Sequence, residues 1–128
     1  MYPYSHLPKP LPPAQYYILL ALTIESSHAY PLKASVQNNS LGSVKVSAAK
    51  LYPLLQAMHD EGLVDMLGEK PSGKSGKLRM HYGIAEHDKI RLQEESQRLE
   101  HATKIARRVG ALYNQVPTDI QRMLKSLS

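Results

Sequence analysis

The sequence predicts a mainly α fold carrying one small β-hairpin, an α+β arrangement that ends in a long C-terminal helix. Three observations carry that prediction. In residues 47–61, Ala48, Leu51, Leu54, Leu55 and Met58 fall on one face of a helix, with Ala49, Pro53, Gln56 and Asp60 opposite. In residues 77–84 the period drops to two, and Leu78, Met80, Tyr82 and Ile84 share one side, as in a half-buried strand. From Glu86 to about Tyr113, Leu92, Leu99, Ala106 and Tyr113 recur at heptad spacing, with Ile105 and Val109 beside them, so this helix seeks another helix.

Taken in order, residues 1–12 form a Pro-rich arm that cannot be a regular helix and is expected to be flexible. Pro13 or Ala14 starts a first helix that runs to about Glu25. Pro13 suits that position because its missing N–H is not needed there, and a short run so apolar on every side must lie centrally in the core. A second short helix follows Ser27 or His28 and ends at Asn38-Asn39, with Pro31 in its first turn and Tyr30, Leu32 and Val36 as its apolar stripe. Residues 40–46 make a tight connection that offers a very short strand. Ser47 is a suitable N-cap for the third helix and Gly62 a suitable residue just past its end. Leu63-Val-Asp-Met-Leu67 reads as the first strand of the hairpin, and Gly68 to Gly76 as a glycine-rich, basic tip. Gly110 weakens the end of the long helix, and Val116-Pro117-Thr118 restarts a short one with Ile120, Met123, Leu124 and Leu127 as its apolar stripe. The expected organisation is therefore an arm at 1–12, a compact domain at 13–85 and a helical region at 86–128.

Composition narrows the function. At 128 residues and 42% hydrophobic content the chain suits one domain with an appendage. A formal charge of +5 favours a polyanionic partner. No run approaches the roughly 18 apolar residues of a membrane span, and the N-terminus lacks a signal-like pattern, so a cytoplasmic protein with no membrane role is expected. Cysteine is absent, which excludes disulfides and thiolate chemistry. The six histidines show no metal-ligand spacing, and Glu94, Glu95 and Glu100 share a helix face with Arg91 and Arg98 that reads as solvated ion pairs. No cofactor, no metal and no enzymatic activity are expected. One match points the other way: Gly68-Glu-Lys-Pro-Ser-Gly-Lys-Ser75 fits the G-x-x-x-x-G-K-S phosphate-binding loop. A nucleotide loop must lead directly into a helix whose N-terminus faces the phosphates, whereas Lys77 to Ile84 alternates like a strand.

Three helices followed by a hairpin with a basic tip is the layout of a winged helix-turn-helix, in which the third helix enters the major groove and the hairpin, or wing, touches the backbone or minor groove. The chain here resembles the PadR family of bacterial transcriptional regulators. The resemblance rests on His28-Ala-Tyr-Pro-Leu32, Leu51-Tyr-Pro-Leu-Leu55, Glu61-Gly-Leu-Val64 and Arg79-Met-His-Tyr-Gly-Ile84, in that order, and spans about residues 14–109. Where the family commonly has Ser-Pro-Gly-Ser or Ser-Pro-Gly-Thr, this chain has Ser47-Ala-Ala-Lys50, which places an extra cation at the mouth of the third helix. No tryptophan is present, although some drug-binding relatives sandwich flat aromatic ligands between tryptophans.

These readings assign double-stranded DNA as the partner. Ser47 and Lys50 stand at the start of the third helix, where Lys50 can reach phosphate or a guanine edge, and Gln56 on the outer face can pair with adenine. Tyr52 reads either as a packed core residue or, as the resemblance implies, as a contact to the DNA backbone. Lys70, Lys74, Lys77 and Arg79 make the wing a phosphate or minor-groove contact. Leu92, Leu99, Ala106 and Tyr113 are the expected seam of a homodimer, which would repress transcription from an inverted-repeat operator. The resemblance further implies a small-molecule effector that changes the spacing of the two recognition helices. Ile105, Val109 and Tyr113 either line its site or belong simply to the dimer core. The alternative class is a winged-helix module for protein interaction or non-specific DNA binding.

Overall fold

The computed structural model describes residues 9–86, 88–112, 122, 123 and 125–127. Helix α1 spans Pro13–Ile24, α2 Ala29–Asn39 and α3 Ala48–Asp60; strands β1 (Val64–Ser72) and β2 (Lys77–Ile84) form the hairpin, and α4 spans Asp88–Arg108. Ile18 and Leu19 of α1 are completely buried, together with Val36 of α2 and Leu55 and Met58 of α3. The central place expected of α1 follows from this packing. Its neighbours are α2, β2 and α4, while α3 packs on α2 and β1.

The ends of α2 and α3 use the same device. Past α3, Gly62 adopts a positive φ, its N–H bonds to the His59 carbonyl at 2.9 Å, and the Leu63 N–H bonds to the Met58 carbonyl at 2.8 Å. This pair of bonds satisfies carbonyls that the last turn leaves open. Past α2 the corresponding bonds run from Leu41 to Asn38 and from Gly42 to Gln37, but the left-handed position is filled by Leu41 at φ 56°. The buried Ser40 hydroxyl then accepts the Val44 N–H at 3.0 Å. That turn replaces the short strand expected in residues 40–46. A strand-like bridge occurs instead between Ser27 and Tyr82, which ties the α1–α2 connection to β2.

The hairpin also departs from expectation. Its first strand does not stop at Leu67 but continues to Ser72, with an irregularity between Met66 and Gly68 that absorbs Leu67, so the tip is only Gly73 to Gly76. Gly68 to Ser72 are therefore paired as a strand with residues 77–81, a conformation incompatible with a phosphate-binding loop that opens a helix. Pro71 is tolerated because a two-stranded sheet has only edge strands.

Helix α4 begins at Asp88 rather than Glu86, with the acidic side chain in the first turn, where the helix dipole favours it. Its first half belongs to the core: Leu92 is buried, Tyr16 Oη lies 2.9 Å from Ser96 Oγ, and the buried Glu95 carboxylate accepts from Arg98. Gly110 stops the helix in the same manner as Gly62, so the helix expected to reach Tyr113 ends at Arg108. Tyr113 and the Val116–Thr118 restart lie outside the described residues. Of the expected C-terminal stripe, Met123 and Leu127 are described, and both are exposed. Leu11, inside the arm expected to be flexible, is buried in the core, and Arg91 reaches the Lys9 carbonyl. Tyr30, expected on the apolar stripe of α2, is 79% exposed.

Candidate nucleic-acid interface

The rotation of α3 is fixed by Leu51, Leu55 and Met58, each at most 2% exposed. Turning these three inward leaves Ala48, Ala49, Lys50, Tyr52, Pro53, Gln56 and Asp60 on the surface. Ser47 has the extended backbone of an N-cap residue, but its side chain makes no capping bond. Pro53 lacks the N–H that would bond the Ala49 carbonyl, and both residues lie on the exposed face of the helix. Gln56 is not free: its Nε2 donates to Asp60 Oδ1 at 3.0 Å, one turn along the helix. Reading adenine with both amide atoms requires that bond to open.

The wing concentrates positive charge. Lys70 and Arg79 face each other directly across the strands, Lys77 pairs with Ser72, and Lys74 sits in the tip. All four are exposed, and residues 70–85 contain no carboxylate. Like charges placed opposite each other destabilise a hairpin unless an anion lies between or beside them. The positive φ of Gly73 and Gly76 makes the turn that presents Lys74.

Helix and wing meet at a cleft of about 350 Å³ lined by His28, Tyr30, Tyr52, Ser72, Gly73, Ser75 and Arg79. Tyr52 is thus a surface residue of the cleft, 53% exposed, rather than a core tyrosine. Behind it, Tyr82 is buried, and burial, followed by the neighbouring Tyr52, pushes its phenol above the ordinary value. The His28 and His81 rings are 5.4 Å apart. Burial, then His81, then Arg79 hold His28 below the ordinary imidazole value. His28, Tyr30 and His81 were not among the site residues expected from sequence. They lie within the motifs His28-Ala-Tyr30 and Arg79-Met-His81, which the Ser27–Tyr82 bridge brings together.

The expected dimer seam divides in two. Leu92 is buried within the chain, whereas Leu99, Ile105 and Val109 are exposed, and Ala106 is half-buried. A separate cavity of about 140 Å³ between α1 and α4 is lined by Leu11, Tyr16, Tyr17, Glu95 and Leu99. Among the described residues, no group of three or more His, Cys, Asp or Glu could hold a metal ion, and no helix is long and apolar enough to cross a membrane.

Residues 18–94 match the family model described as the transcriptional regulator PadR-like family. Solved structures share the fold. A PadR-like transcriptional regulator from Bacillus cereus is 21% identical, with a TM-score of 0.62 over 77% of this chain and 92% of that one. A PadR family transcription regulator from Clostridium difficile is 16% identical, with a TM-score of 0.62 over 75% and 96%. A candidate transcriptional regulator from Thermoplasma acidophilum is 25% identical, with a TM-score of 0.58 over 79% and 93%. A comparison with curated proteins returns no match.

Proposed function

Given that the chain belongs to the PadR-like family of transcriptional regulators, we propose that it reads DNA sequence as a homodimer and represses transcription from an inverted-repeat operator. The observation that supports this most is the shared cleft, in which Tyr52 of α3 and Arg79 of the basic wing belong to one lining that contains no carboxylate. Lys50 and, once released from Asp60, Gln56 contact base edges; Ser47, Tyr52 and the wing cations Lys70, Lys74, Lys77 and Arg79 contact the backbone. The exposed apolar residues Leu99, Ile105 and Val109, with Ala106, pair the two copies. An effector that enters beside Ile105 and Val109 would change the distance between recognition helices and so weaken binding without touching the DNA contacts.

Selection from a random duplex pool tests this, followed by binding of enriched and scrambled duplexes at about 150 mM salt. The expected outcome is an inverted repeat bound at least ~10³-fold more tightly than its scrambled control. Binding without enrichment would instead identify a non-specific DNA-binding module, and no binding would point to a protein partner.

A further inference from the structure

Building on the DNA-binding reading, we infer that the cleft between α2, α3 and the wing seats one backbone phosphodiester, and that the His28–His81 pair takes up a proton as the phosphodiester enters. The pairing of these rings is built into the backbone. The Ser27 N–H bonds to the Tyr82 carbonyl at 3.1 Å and the Tyr82 N–H to the Ser27 carbonyl at 2.8 Å. His28 follows one member of that bridge and His81 precedes the other, so the rings are held 5.4 Å apart by two elements distant in sequence.

The lining suits a singly charged tetrahedral anion. Arg79 contributes the fixed charge, Ser75, Tyr30 and Tyr52 contribute hydroxyl donors, and Gly73 allows close approach of backbone. Around His28, α2 presents Tyr30, α3 presents Tyr52 and the hairpin presents Arg79, with Lys70 directly across from Arg79. On the side of α1, the nearest carboxylate along the chain is Glu25, which is not part of the lining. The charged neighbours acting on His28 are thus basic, and burial together with His81 and Arg79 holds its pKa below the ordinary imidazole value.

The hydrogen bonding of His81 fixes its role. Nδ1 lies 2.9 Å from the Arg79 carbonyl, which can only accept, so this nitrogen carries the proton of the neutral ring. Nε2 lies 3.3 Å from Ser72 Oγ, whose own hydrogen goes to the Lys70 carbonyl at 3.2 Å, so that oxygen is placed to accept from Nε2 when this nitrogen gains a proton. A phosphodiester is anionic at every physiological pH, and its arrival reverses the balance that disfavours a second imidazole proton. By linkage, whatever binds the protonated form more tightly is itself bound more tightly as pH falls.

The test uses the full chain and a fluorescent 24-base-pair duplex of random sequence, titrated at constant low ionic strength at pH 6, 7 and 8. A rise of one unit in a single histidine pKa corresponds to about tenfold in affinity. We expect binding roughly tenfold tighter at pH 6 than at pH 8, with most of that gain lost in His28→Gln and His81→Gln. Lys74→Ala should weaken binding at both pH values while preserving their ratio. Wild-type affinity that is flat with pH, or a pH dependence surviving both histidine substitutions, overturns the inference while leaving DNA binding intact. Absence of binding at every pH overturns DNA binding and the inference with it. Should the substituted chains fail to fold, proton NMR of the wild-type histidine rings decides: adding duplex must raise two imidazole titration midpoints, and unchanged midpoints overturn the inference.

Discussion

Lys50 and Lys74 carry the same charge but are placed for different work. Lys50 lies in the first turn of α3 and is proposed to contact base edges, whereas Lys74 sits in a glycine turn at the tip of the wing and is proposed to contact the backbone. Lys50→Ala is expected to cost about 1–3 kcal/mol on the preferred duplex and much less on random DNA; Lys74→Ala should weaken both alike. Equal losses in a paired binding titration would show that Lys50 reads no base. Gln56 adds a second residue-scale test, because Asp60 holds its amide and places a carboxylate on the exposed face of α3 that is proposed to meet the groove. Asp60→Ala should tighten DNA binding severalfold, and no change would mean that Gln56 does not reach DNA. Leu41 offers a stability test without a DNA term. It occupies the left-handed position after α2 while 58% exposed, so Leu41→Gly relieves steric cost with little packing lost. A gain of about 0.5–1 kcal/mol in urea unfolding is expected. At this scale the sequence was informative about which residues are cationic and exposed, and silent about what holds them: neither the Gln56–Asp60 bond nor the His28–His81 pair has a signature in spacing.

Elements were legible where periodicity and terminal chemistry agreed. The third helix shows this: its apolar face, Ser47 before it and Gly62 after it all specify one segment, and α3 runs Ala48–Asp60. Two misreadings had a physical source. Leu63–Leu67 looked complete because Gly68 and Pro71 are strand breakers in a central strand, but neither penalty applies fully at an irregular edge. The short strand was expected in residues 40–46, yet the segment that bridges to β2 is Ser27, chosen by tertiary pairing that local pattern does not encode. The base of the hairpin can be tested by pH. The folded state holds the Tyr82 phenolic proton more tightly than the unfolded chain, through burial first and Tyr52 second. The stabilisation is therefore fully present below the ordinary tyrosine pKa of about 10 and is lost as pH rises through the higher folded value. Urea midpoints should fall between pH 9 and pH 11, and fall less in Tyr82→Phe; identical falls would show that Tyr82 ionisation does not contribute.

At the scale of the whole molecule, one helical pattern in α4 spans a covered half and an uncovered half, and this is why its heptad was only partly informative. Leu92 and Glu95 face the body of their own chain, and beyond Leu99 the helix runs on with Ile105 and Val109 uncovered. Heptad spacing reports that a face will be covered but not by which chain. The division predicts two separable phenotypes. Leu92→Ala removes a buried side chain and should cost about 2–5 kcal/mol of folding stability. A double substitution, Leu99→Glu with Val109→Glu, changes exposed positions only; it should leave the monomer folded, with circular dichroism unchanged, and abolish the dimer in light scattering. Because an inverted repeat is held by two recognition helices at a fixed separation, the same variant should keep its weak binding to a single half-site while losing at least ~10² in affinity for the full operator, the loss expected when the second contact is no longer intramolecular. A doubly substituted chain that remains dimeric and binds the full operator as before would place the dimer seam elsewhere and remove α4 as the ruler between half-sites.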